Sequence, residues 1–154
     1  MSHCQPVVIA ERDVESVQTQ VIVQTFSDRV LVIITQLSKV GTLIQASVPP
    51  TIALTQASVS NDSSLPPVHP SVDLTYLFGH APSSDHQTLY SSYAAQVATL
   101  VWTSERYAQI ESSRNPVVVG VALKAPRSSE RDPEADRATF LQIMDLVREI
   151  LGTV

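Results

Sequence analysis

Residues Val17–Ala46, VQTQVIVQTFSDRVLVIITQLSKVGTLIQA, constrain this chain more than any other stretch. From Val17 to Phe26 the side chains alternate. Val17, Thr19, Val21, Val23 and Thr25 share one face, and Gln18, Gln20, Ile22, Gln24 and Phe26 share the other. Period two with glutamines on one side is the signature of a strand with one dry face and one partly wet face. Ser27–Arg29 is a polar turn signal, and Val30–Ile34 is apolar on both faces and β-branched, as in a central strand covered on both sides. Ser38–Gly41 then breaks the apolar run. A glycine closing a short polar break suits the left-handed position of a hairpin turn, so Thr42–Ala46 is expected to return antiparallel beside Val30–Ile34. The stretch thus reads as a three-stranded meander.

Downstream the character changes. Six of the ten prolines lie between Pro49 and Pro82, with a serine-rich run among them. Proline cannot donate to a strand ladder, so a mobile loop over about residues 48–71 is expected. Thr51–Thr55 is the one place in it where a short strand would fit. Val72–Gly79 resumes alternation and reads as a strand with Val72, Leu74, Tyr76 and Phe78 on one face. Asp85 is positioned to cap a long helix from about His86 to Tyr107, whose stripe is Leu89, Tyr93, Val97, Leu100 and Val101. Asn115–Leu123 reads as a strand buried on both sides. A final helix has Asp132 as cap and Pro133 in its first turn, an apolar stripe of Phe140, Ile143, Met144, Val147 and Leu151, and Gly152 as its stop. The prediction is one α+β domain over residues 1–154: a largely antiparallel sheet of five to six strands with an N-terminal meander, packed with two main helices.

Composition excludes several function classes. A net charge of −5 with two lysines, Lys39 and Lys124, argues against a phosphate-binding surface, so no nucleic-acid partner is expected. No apolar run approaches the ~20 residues of a membrane span, and the first residues lack the basic and apolar regions of a signal peptide. The single cysteine, Cys4, allows no internal disulfide. Charged residues make up 16%, below the ~25% usual for soluble domains, which leaves an apolar surface suited to protein contact.

A search for chemistry finds little. His80, Asp85 and His86 could be drawn together as a metal site or, with a serine, as a small hydrolase centre. Their spacing matches no helical ligand pair, and Pro82 interrupts the local geometry. No nucleophile elbow or glycine-rich phosphate loop is present. The carboxylates Glu130, Asp132, Glu134 and Asp136 are interleaved with Arg127, Arg131 and Arg137, the pattern of a solvated helix start. No catalytic residue, metal or cofactor is therefore expected. Trp102 lies one position off the first helix's stripe. It reads either as a core-edge side chain or as a partly exposed anchor for a partner.

One segment carries more than architecture. VQTFSDRVLVIITQLSKVGTLI resembles the hallmark region of the proteasome assembly chaperone 3 family: a phenylalanine–serine turn, an apolar strand ending Thr35–Gln36, and a turn with Lys39, Gly41 and Thr42. Ser38 stands where that family often has glycine. The order of later elements is similar too, whereas Val48–Pro70 and the connection Pro126–Asp136 depart from the family. The resemblance implies a non-catalytic cytoplasmic chaperone, extending to the nucleus. It would dimerise with itself or with a family-4 partner and bind α-type subunits of the proteasome core particle to promote α-ring assembly. Ser38, Lys39, Val40, Trp102, Arg127 and Arg131 are the candidate partner-binding residues. A generic dimeric adaptor without a proteasome role is the alternative.

Overall fold

A computed structural model describes residues 6–54, 65–104, 114–124 and 132–153 of the chain. The elements run β1 (Val8–Val14), β2 (Val17–Thr25), β3 (Val30–Thr35), β4 (Thr42–Ser47), β5 (Asp73–Phe78), α1 (Ser84–Thr103), β6 (Val117–Ala122) and α2 (Pro133–Thr153). The strands form one six-stranded sheet in the order β1-β2-β3-β6-β4-β5. Every neighbouring pair is antiparallel except β3 and β6, which run parallel. The fold is α+β with a mostly antiparallel sheet and two helices, as the sequence predicts.

The meander is real but lies one strand earlier than expected. β1, β2 and β3 are consecutive antiparallel neighbours, whereas β6 inserts between β3 and β4. β1 escapes the periodicity reading because Glu11, Arg12 and Asp13 interrupt alternation. Its turn to β2 is built on Glu15 and Ser16, both at positive φ (47° and 63°). That is the backbone of a tight primed hairpin turn, normally written Asn-Gly. Arg12 is tolerated on the helix side because its guanidinium reaches Glu149 of α2.

Strand register fixes the two faces of the sheet. Val21, Val32, Val119 and Ile44 share one face with Tyr76, and all but Tyr76 are buried beneath the helices. α1 packs on β6, β4 and β5, and α2 on β1 and β2. The two helices meet at Tyr93, whose ring packs edge-on against Phe140 at 4.9 Å between centroids. Burial pushes the Tyr93 phenol pKa well above its ordinary value, with nearby Asp136 adding to the rise.

The local signals hold with adjustments. Ser83, rather than Asp85, caps α1: its Oγ accepts the His86 amide. Asp132 does cap α2, its Oδ1 accepting the Glu134 amide at 3.0 Å. Gly152 does not stop α2, which continues to Thr153. The reading of α1 as far as Tyr107 ends outside the described residues. Pro49–Ile52 forms a turn, the Ile52 amide donating to Pro49 O at 3.1 Å, and no strand forms over the described residues 51–54.

The described flanks of the proline-rich segment are tied to the domain. Val48 and Pro66 are buried. Gln96 donates to Pro66 O at 2.9 Å, and Arg114 donates to Ile52 O. Residues 55–64 lie outside the described set.

Candidate partner-binding surface

The second face of the sheet carries no helix among the described residues. It comprises Ile9 and Glu11 of β1, Gln20 and Ile22 of β2, Leu31 and Ile33 of β3, Val118 and Gly120 of β6, Leu43 and Gln45 of β4, and Asp73 and Leu77 of β5. The sequence predicts β3 and β6 to be covered on both sides. Helices cover only one, and the other side's apolar side chains shield each other. Gly120 makes this close packing feasible: a Cβ there would meet Leu43 Cδ2 at 3.3 Å and Ile33 Cγ1 at 3.5 Å. Leu43, Ile33 and the Val40 carbonyl of the β3–β4 loop, 2.9 Å from where that Cβ would sit, thus close over the glycine.

At the β5 edge the face becomes more exposed. The pairing with β4 slips between Leu43 and Ile44, so Leu43 stands opposite Phe78 while Ile44 stands opposite Tyr76. Leu77 is the extra residue of this bulge. Leu77 is 48% exposed and Phe78 69%. An exposed apolar surface rimmed by polar side chains is a candidate for protein contact. Sequence reasoning misses these residues because β-branched strands look alike whether a helix or a partner covers them.

The β3–β4 loop sits at one end of this face and holds Ser38, Lys39 and Val40. Its conformation is set locally. Thr35 Oγ1 accepts both the Leu37 amide (3.2 Å) and the Lys39 amide (3.1 Å), and Ser38 takes a positive φ of 54°. Gly41 then turns the chain at φ 70°. Leu37 and Val40 remain exposed on either side of Lys39. The loop is therefore a pre-shaped tip, with a cation between two apolar side chains.

The remaining candidates are placed differently. Trp102 is buried, and its indole N–H donates to Asn115 O at 3.0 Å. It anchors α1 to the strand leading into β6, so the core-edge role replaces that of an exposed anchor. Arg127 and Arg131 lie outside the described residues. His80 and Asp85 are exposed, and His86 Nδ1 meets Ser83 Oγ at 2.7 Å within the helix cap. No group of three metal-ligating side chains occurs among the described residues. No helix among them is long and apolar enough to cross a membrane.

A search of curated protein sequences found no match. Among solved structures, the chain is similar to one described as "Crystal Structure of a Novel Chaperone Complex for Yeast 20S Proteasome Assembly", with 9% identity over 96% of this chain and 99% of that one. The TM-score is 0.51, so the likeness is one of fold. A family model for proteasome assembly chaperone 3 matches residues 32–150, from within β3 through the Lys39 loop to within α2. By that match over most of its length, the chain belongs to the proteasome assembly chaperone 3 family.

Proposed function

We propose that this chain is one half of a dimeric, non-catalytic chaperone of the cytoplasm that binds α-type subunits of the proteasome core particle and promotes their assembly into the α-ring. The observation that carries this reading is an apolar sheet face that no described helix covers, in a chain of this family. Five strand spacings of ~4.8 Å and six residues at ~3.3 Å give a face of roughly 500 Å² in projection. That approaches the ~800 Å² per partner of a standard protein interface. Stacking against a second sheet would bury the Leu43–Ile33 centre at the ~10 Å separation of a β-sandwich. The face serves pairing, and the loops at the sheet's end are left for the α-type subunit.

The Lys39 tip suits such a contact. A loop already held in one shape loses little entropy on binding. An assembly chaperone must also leave when ring neighbours compete, so a small, partly polar contact is the fitting design. Lys39→Glu is expected to weaken binding to purified α-type subunits about tenfold, while pairing and thermal stability are unchanged. Surface plasmon resonance or pull-down with recombinant subunits measures this. Unchanged affinity removes the loop from the contact.

A further inference from the structure

A cavity of about 370 Å³ opens on the helix side of the sheet, where the first turns of α1 and α2 meet the β1–β2 turn. α1 presents His86, Tyr90 and Tyr93 to it, spaced as one helical stripe. α2 presents Asp136, and the strand ends present Val14, Val17 and Leu123. The volume lies at the low end of the roughly 300–1,000 Å³ of small-ligand clefts, enough for one long side chain.

The wall of this cavity carries an unused hydrogen-bonding group. Tyr93 is 1% exposed, yet its hydroxyl makes no hydrogen bond, whereas a buried phenol normally finds a partner. Every fully enclosed side-chain polar atom among the described residues is paired. The Tyr93 hydroxyl therefore still borders open space, and the space beside Tyr93 is the cavity. Burial and the nearby Asp136 charge keep the phenol protonated, so it remains a neutral group with a lone pair to offer.

Charge selects what can enter. Asp136 stands close enough to Tyr93 to act on its phenol. Glu15 lines the cavity from the β1–β2 turn, its carboxylate accepting from the neutral amide of Gln142. Lys124 also lines it, but its exposed side chain can extend into water. An anion would meet two carboxylates here. A cation would meet two carboxylates, aromatic rings and a phenol oxygen. A guanidinium suits these groups better than an ammonium, because its planar fork offers five N–H donors and its face stacks on aromatic rings. The apolar strand ends suit an aliphatic stem.

We propose that this cavity receives the arginine side chain of a bound protein, its stem on Val14, Val17 and Leu123 and its guanidinium among Tyr93, Asp136 and Glu15. The test uses the whole chain and three blocked residues as probes: acetyl-arginine amide, acetyl-norleucine amide and acetyl-aspartate amide. Binding is followed by backbone amide chemical shifts. Acetyl-arginine amide is expected to bind with a Kd of about 1–10 mM, shifting both first helical turns and the β1–β2 turn together. Tyr93→Phe keeps the ring and removes a hydroxyl that bonds to nothing in the fold. It is expected to leave Tm unchanged and weaken arginine binding about tenfold. Glu15→Gln, on the exposed turn, is expected to weaken it about threefold.

Norleucine binding as tightly as arginine would reduce the cavity to an apolar hole, and tighter aspartate binding would make it an anion site. Either overturns the proposal. So do shifts absent from the cavity at about 20 mM acetyl-arginine amide, or two variants that bind it as tightly as wild type.

Discussion

Gly41→Val is expected to remove about 4 kcal/mol of folding stability, a drop of roughly 12 °C in Tm for a domain of this size. Two independent causes act at this one position. The backbone holds φ at 70°, where a β-branched residue is strained by of order 1–3 kcal/mol. A Cβ would also lie 2.2 Å from the carbonyl oxygen of Val121 and 2.7 Å from the Ala122 Cβ. Both obstacles belong to a central strand, so the loop cannot swing aside without parting β4 from β6. Gly41→Ala keeps the clash and much of the backbone strain, and should cost about 3 kcal/mol. Chemical denaturation of the two variants decides the matter. A loss below about 1 kcal/mol for valine would mean that the β3–β4 loop relaxes freely and is not a pre-shaped tip.

The second large effect concerns pairing. Leu43→Asp places a carboxylate at the centre of the open face, beside Ile33 and above Gly120. In the single chain the side chain is only part-buried, so the variant should fold with a loss of about 1 kcal/mol, the scale of strand propensity. In a stacked pair of sheets the same carboxylate would be desolvated with no partner, and association should weaken by more than about a hundredfold. Phe78→Ala, at the exposed edge, should cost less. Paired circular dichroism melts and sedimentation on the variants test this. Pairing that survives Leu43→Asp in a folded protein would place the interface elsewhere.

These two positions also show what the sequence makes legible. The alternation from Val17 to Thr25 locates a strand and assigns its dry face correctly, because the helices cover that face. The break at Ser38–Gly41 locates a turn and its left-handed glycine, yet it does not say what pairs with what. Local turn chemistry is the same whether β3 and β4 are neighbours or take β6 between them. Gly41 is needed less for a hairpin than for the close approach of Val121, about eighty positions along the chain. That contact is non-local and leaves no periodic trace.

The candidate surface was half visible for a related reason. A strand such as β3, apolar on both faces, announces that both faces are covered, and the pattern holds no information on whether the cover is a helix or another chain. Only once both helices are seen on one side do Ile33, Leu43, Leu77 and Phe78 become a candidate interface. Trp102 went the other way. One step off a helical stripe fits either a core-edge side chain or an exposed anchor, and the indole donating to Asn115 O selects the core edge. The Ser38–Val40 tip was found because its residues carry the family resemblance, and its rigidity, set by Thr35 Oγ1, appears only in three dimensions.

The central claim is that this chain takes part in building the α-ring. Its most direct test is affinity purification of the tagged chain from cells assembling new proteasomes, with the co-purified proteins quantified by mass spectrometry. The account predicts α-type core-particle subunits as principal partners, recovered from assembly intermediates and missing from mature particles. A purification that recovers a paired chain but no α-type subunit while assembly is under way would contradict it.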